Sequence, residues 1–282
     1  MDFGIDLGRC HPRLWRDVAR VADEHGYESV WIPEHLVFPI DIATSFVDGA
    51  THAGVDPRTP TFDPFVMLAA IAAVTTHVRL GTHVYNIGLR HPFVAARAVV
   101  SLDVVSGGRV EFGIGASWMK EEWDSVGLDF ATRGARVDES IALCRRLWTE
   151  PVVAHRGRFF EFDAVAFEPK PVQQHIPIHV GGDSKRALRR VAEHGDGWIG
   201  MIHDVASFAE SVAWLAHLCA DNGRDLEDIQ RSALVAHPTA TDVEAWGNAG
   251  ATRLIVAPWR RSSEAIDGVA EFAARWNHSG RA

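Results

Sequence analysis

Residues able to move protons or hold anions fall at intervals along this chain, each group just after a short apolar run. Glu34 and His35 follow SVWI. His83, Tyr85, Asn86 and Arg90 follow VRLGT. Gly113, Gly115, Ser117, Trp118, Lys120, Glu121 and Glu122 lie in and after VEFGI. Gly181, Gly182, Asp183 and Ser184 follow IPIHV, and Met201 and His203 close the series. Histidine transfers protons near neutral pH, so His35 beside Glu34 is a candidate acid or base. The competing reading is a histidine bonded to a backbone carbonyl, in a chain that has 15 of them. Gly181-Gly182-Asp183-Ser184 suits a phosphate, because glycines admit a close ligand and the following helix offers free N–H groups. A plain tight turn with an Asp or Ser cap competes with it. His83 reads as a pocket wall or a structural histidine. Glu121 and Glu122 read as a solvated loop or a helix start.

Other chemistries lack their residues. The only lysines are Lys120, Lys170 and Lys185, none within a central strand, which disfavours a Schiff-base aldolase. The first strand has no His-x-His, and HExxH is absent, so no metal is expected. His175 and His179 flank a strand segment, which makes their spacing accidental. Strand seven ends in His237-Pro238-Thr239 without the carboxylate a glycosidase would need. GIGASW departs from the dinucleotide fingerprint where Trp118 replaces the third glycine. Cys10, Cys144 and Cys219 are widely spaced and form no CxxC, neither a disulfide framework nor a zinc site.

The elements that must position these groups alternate. The pattern predicts strands over 2–7, 29–32, 78–84, 109–114, 176–180, 198–201, 229–236 and 253–256. Between them fall helices, with His11-Pro12, Asp63-Pro64 and His91-Pro92 as helix starts. A helix over 131–149 is followed by VVAHRGRFFEF, read as a hairpin turning near Gly157. Eight strand–helix units predict an α/β fold, a (β/α)8 TIM barrel, with a small insertion after the fourth helix and a long loop, 34–61, after strand two. Loops that long are commonly functional lids, and this one carries Phe38, Phe46 and His52. No linker or composition shift interrupts the 282 residues, so residues 1–282 read as one domain. A net charge of -9 argues against nucleic acid and anionic membranes as partners. No leader and no spanning run is seen, so a cytoplasmic protein acting on a small molecule is expected.

Four segments carry a family resemblance: DEHGYESVWIPEH (23–35), VRLGTHVYNIGLRHP (78–92), LDVVSGGRVEFGIGASWMKEEW (102–123) and PVQQHIPIHVGGDSKRALRRVAEHGDGW (171–198). In order and together, they resemble the luciferase-like monooxygenase superfamily, most closely its actinobacterial branch that uses coenzyme F420, a deazaflavin. The resemblance implies a hydride-transferring oxidoreductase with its ring in the barrel mouth. It implies phosphate binding at Gly181 and Gly182 with Ser184 nearby, and ring packing by His83, Val84 and Asn86. It implies an acid–base role for His35, with Glu34 in the acidic position before it. GTHV matches a bulge where relatives have a non-prolyl cis peptide, here His83–Val84. Trp118, assigned to the cofactor pocket, replaces a glutamate that serves catalysis in the sugar-phosphate dehydrogenase branch. A monooxygenase using reduced FMN and oxygen is the alternative, and a non-catalytic cofactor-binding protein a second. Relatives often form homodimers through barrel helices.

Overall fold

The computed structural model describes residues 1–42, 56–201 and 203–276. Four strands open the chain: β1 (Asp2–Asp6), β2 (Ser29–Ile32), β3 (Arg79–Thr82) and β4 (Val110–Ile114). A separate antiparallel hairpin follows, β5 (Val153–Arg156) with β6 (Glu161–Val165). Four more strands complete the set: β7 (Ile178–Gly181), β8 (Gly197–Gly200), β9 (Gln230–Ala236) and β10 (Arg253–Ala257). All but the hairpin pair in parallel into a closed barrel, in the order β1-β2-β3-β4-β7-β8-β9-β10. The helices are α1 (Trp15–Glu24), α2 (Pro64–Ala72), α3 (Pro92–Ser106), α4 (Lys120–Ser125), α5 (Arg133–Thr149), α6 (Lys185–His194), α7 (Val205–Asp221), α8 (Ala240–Asn248) and α9 (Ala265–Trp276).

The predicted strands and helices are all present, with ends shifted by up to three residues. Asp63 caps α2 by accepting from the N–H groups of Phe65 (2.9 Å) and Val66 (3.1 Å). His91 caps α3 through Nδ1, 3.2 Å from the Phe93 nitrogen. In each case proline at the first helical position has no N–H to satisfy. Helix α4 is an addition within the β4 loop, so the hairpin insertion follows α5. Phe46 and His52 lie outside the described residues. Among the described residues no helix is long and apolar enough to cross a membrane.

Register fixes what fills the barrel. Gly4 stands next to Ser29, Asp6 next to Trp31, and Trp31 next to Gly81 on neighbouring strands. Neighbours in register share a face, and every second residue points inward. Trp31 is fully buried there, packed with Ile199 and Ile255. Its indole N–H donates to Ser29 Oγ at 2.7 Å. A Cβ on Gly4 would come within 2.8 Å of Trp31 Nε1, and one on Gly81 would overlap the indole ring. One large side chain thus fills space that neighbouring strands vacate.

Below Trp31 the inner layer of the barrel is ionic. Glu111 meets Arg79 and His179, with Arg253 Nη2 at 3.4 Å; Arg253 also reaches Glu28 at 2.6 and 3.0 Å. The Arg253 guanidinium lies 5.0 Å from the Trp31 ring centroid. Burial acts to raise the Glu111 carboxyl, but His179, Arg253 and Arg79 outweigh it and bring it down to about 2. A carboxyl depressed on folding stabilises above its unfolded range, and that contribution disappears as pH falls through the folded value. Removing one member of a buried ion cluster leaves the others uncompensated, a cost of about 3–5 kcal/mol. Glu111→Gln is therefore expected to lower stability by about that much at pH 7. It should also flatten the wild-type loss of stability between ordinary carboxylate pH and about 2. Urea unfolding at several pH values checks both; parallel wild-type and variant curves would contradict the assignment.

Candidate active site

Two buried carboxylates organise the loops after β2, β3 and β4. Glu34 Oε1 accepts from Arg90 Nη2 at 2.6 Å, and its Oε2 from the Asn86 backbone N–H at 2.9 Å. Arg90 in turn lies 4.4 Å from the Tyr85 ring centroid. Burial acts against the Arg90 charge, but Glu34 outweighs it and raises the guanidinium further. Glu34 thereby ties the β2 loop to the β3 loop and has both oxygens engaged.

Glu122 is completely buried on α4. Its Oε1 accepts from the Leu36 N–H at 2.6 Å. Its Oε2 lies 3.3 Å from Ser117 Oγ and 3.4 Å from both Asn86 Nδ2 and His35 Nδ1. Ser117 has a left-handed backbone, φ 61°, which turns the chain so that its hydroxyl meets a carboxylate five residues on. On α4, Glu122 and Trp123 face inward while Lys120 and Asp124 pair at 2.5 Å on the exposed side. The solvated-loop reading of Glu122 is thus corrected: the helix is amphipathic, and the glutamate lies on its buried face.

His35 is half-buried beside this carboxylate. Its ring packs 4.7 Å from Phe38 and 5.8 Å, edge-on, from Trp118. If Nδ1–H donates to Glu122, Nε2 carries the lone pair that can take a proton. His35, Asn86, Trp118 and Glu122 therefore share one wall of the mouth.

The floor is apolar. Val84, Met201 and Leu234 cover the Trp31 layer and stay partly open to the mouth. Val84 follows a cis peptide from His83 and sits between two glycines: a Cβ on Gly181 would come within 2.6 Å of Val84 Cγ1, and one on Gly115 would overlap Cγ2. The His83 side chain turns to β1, where Nε2 meets Asp6 Oδ1 at 2.9 Å. Burial acts to raise Asp6, yet His83, Arg9 and the Gly8 N–H together hold its carboxyl below the ordinary range.

The next wall is the turn after β7, the neighbour of β4 in the barrel. Gly182 takes φ 116°, a conformation open mainly to glycine. Its carbonyl accepts from the Trp198 indole at 2.9 Å. Asp183 Oδ1 accepts from the Met201 N–H at 2.9 Å and meets His203 Nε2 at 2.8 Å. Ser184 caps α6, accepting from the Ala187 N–H at 3.2 Å. Lys185 and Arg186 begin that helix. A helix start with free N–H groups behind a glycine turn is a fit place for a phosphate.

The structure brings Glu34, His35, His83, Val84, Asn86, Trp118, Gly181, Gly182 and Ser184 to this one barrel face. Sequence reasoning left Glu122 and Asp6 unassigned. For Glu122 a signal existed: Met119, Glu122 and Trp123 recur at the i, i+3, i+4 spacing of a buried helical stripe. For Asp6 there was none, since its partner lies 77 residues away.

A family model described as luciferase-like monooxygenase matches residues 7–281. An uncharacterised protein of Mycobacterium tuberculosis is 32% identical over 261 residues, covering 91% of this chain and 92% of the relative. Among solved structures, the coenzyme F420-dependent tetrahydromethanopterin reductase of Methanopyrus kandleri superposes with a TM-score of 0.77 at 18% identity, covering 96% of this chain and 97% of that one. A riboflavin lyase structure with modified FMN superposes with a TM-score of 0.70 at 19% identity, covering 88% of this chain and 66% of that one.

Because Glu122 is an acceptor only, an amide in its place would set N–H against N–H for at least one donor. Glu122→Gln is expected to cost about 1–3 kcal/mol. It should also speed exchange of the Leu36 amide at least tenfold. Thermal unfolding with hydrogen-exchange mass spectrometry measures both, and an unchanged Leu36 peptide would refute the anchoring role.

Proposed function

The chain belongs to the luciferase-like monooxygenase family, and on that premise we propose that it is an oxidoreductase using coenzyme F420 on a small organic substrate. One observation carries the reading. An apolar floor of Val84, Met201 and Leu234 lies between a His35–Glu122 wall and a glycine turn that starts α6. That combination suits a planar heteroaromatic ring with an anionic extension. The floor takes the ring face, and Gly181, Gly182 and the α6 N-terminus, with Ser184 at the cap, take the phosphate. When bound, the deazaflavin supplies hydride transfer.

The protein then has two tasks, to hold ring and substrate in register and to supply or remove one proton. Val84, wedged between Gly115 and Gly181, fixes the height of the ring. Asn86 is held through its backbone by Glu34 and through its side chain by Glu122, so its position at the ring edge is set twice. Glu122 orients His35, which moves the proton through Nε2. Trp118, edge-on to His35, narrows that side of the mouth and helps exclude water. Glu34 acts through Asn86 and Arg90 rather than on the substrate. FMN is the second reading, because flavin enzymes share this fold.

Titration of the purified protein with both cofactors separates the readings. The expected result is saturable binding of F420 and much weaker binding of FMN; tight FMN binding without F420 binding would reverse the assignment. With reduced F420 and a panel of aldehydes, ketones and enones, His35→Asn is expected to lower kcat by about 100-fold or more. Its cofactor affinity should stay within about twofold of wild type, since the phosphate turn and floor are intact. A variant with wild-type kcat on every accepted substrate would remove His35 from proton transfer.

A further inference from the structure

The Asp6–His83 pair is not used by the reading above, although it stands at the centre of the barrel. Asp6 ends β1 and His83 follows β3, so β2 separates them. Their side chains meet at 2.9 Å across β2. The register argument puts both inside, since Asp6 neighbours Trp31 and His83 lies two residues past Gly81. His83 is 7% exposed and Asp6 also 7% exposed. Asp6 takes Nε2, and the other ring nitrogen, Nδ1, is buried with no hydrogen-bond partner. A buried polar atom left unpartnered costs about 1–3 kcal/mol. His179 Nδ1, below Trp31, is likewise buried without a partner, so it is the place of His83 in the chain that singles it out. The next residue in sequence is Val84, the floor against which a ring would lie.

We propose that His83, oriented by Asp6, is a hydrogen-bonding and charge partner for the polar edge of a heteroaromatic ring seated on Val84. The inference rests on the cofactor reading above and adds a specific contact to it. The ligand edge it fits carries carbonyl oxygens and an ionisable N–H, as the pyrimidine edge of a deazaflavin or flavin does. With Nε2–H committed to the Asp6 carboxylate, Nδ1 can either accept from a ring N–H or, when protonated, donate to a ring oxygen or anion. Asp6 in turn is steadied by the Gly8 N–H at 2.9 Å and by Arg9 at 3.4 Å, which keep it ionised and in place. The other titratable groups at the mouth are Glu34 and His35 after β2, Glu122 after β4, and Asp183 and His203 after β7 and β8. Those groups have partners of their own on other loops.

Histidine-selective nitrogen NMR on the full-length protein, without cofactor and then saturated with F420 or with FMN, reads the contact directly. The expected result is that His83 Nδ1 shifts on saturation while His179, below Trp31, does not. In parallel, His83→Asn is expected to weaken cofactor binding by about tenfold, the worth of one hydrogen bond. Asp6→Asn should weaken it less, and His35→Asn serves as the control and should leave it within about twofold of wild type. Circular dichroism and a thermal melt establish that each variant is folded, and the NMR arm needs no substitution beyond resonance assignment. Binding with an unmoved His83 resonance, or undiminished binding by the His83→Asn variant, overturns this inference and leaves the cofactor reading standing. Binding of neither cofactor overturns the cofactor reading itself.

Discussion

One indole sets the interior of this barrel. Trp31 occupies the middle of the strand cylinder, where barrels ordinarily interdigitate layers of medium-sized side chains. Its size forces Gly4 and Gly81 on the adjacent strands to carry no side chain. It also divides the interior. Below it, Glu111, His179, Arg79 and Arg253 can be charged because they compensate one another, and Arg253 adds a contact with the indole face. Above it, Val84, Met201 and Leu234 form an apolar platform, with the buried Asp6–His83 pair inside the barrel and other polar groups around the rim. A barrel filled by small residues would offer no such flat platform at that height.

The rim is held by buried acceptors. Glu34 and Glu122 have little access to water, so their oxygens need donors from the protein. The donors come from three different loops: Leu36 and His35 after β2, Asn86 and Arg90 after β3, and Ser117 after β4. Each carboxylate therefore acts as a cross-tie. Desolvation penalises any arrangement in which a donor is missing, and that penalty converts loop chemistry into loop geometry. Asn86 receives both ties, which is why this one residue is the best-fixed polar group at the mouth.

The barrel was legible because alternation of strand and helix runs along the whole chain and the helix starts are marked by His-Pro and Asp-Pro pairs. The glycine turn before α6 was legible because two adjacent glycines before a capping serine form a local pattern. Glu34 and His35 were legible as residues, but not in their roles: the glutamate proved to be the anchor of Asn86 and Arg90, and the partner of the histidine is Glu122. That partnership spans 87 residues. It depends on a left-handed Ser117 and on which face a six-residue helix turns inward. The Asp6–His83 pair lay further out of reach, since nothing local to either residue names the other. Local patterns reveal where elements begin and end, whereas the pairing of buried polar groups is decided by closure of the sheet.

The two histidines at the mouth differ in a way that separates their chemistry. His35 is partly open, stacked near Phe38 and Trp118, and faces a carboxylate that it shares with Asn86, Ser117 and Leu36. A proton leaving or reaching such a ring can exchange with the solvent side, as turnover requires. His83 is enclosed, faces a carboxylate that it shares with the Gly8 N–H and Arg9, and directly precedes Val84 of the platform. Its burial slows exchange with bulk water. The open imidazole is suited to passing protons through, and the enclosed one to recognising a ring by its edge. The carboxylates behind the two histidines, Glu122 on α4 and Asp6 at the end of β1, share no donor among the described residues, so the proposed recognition and proton movement can be tuned separately.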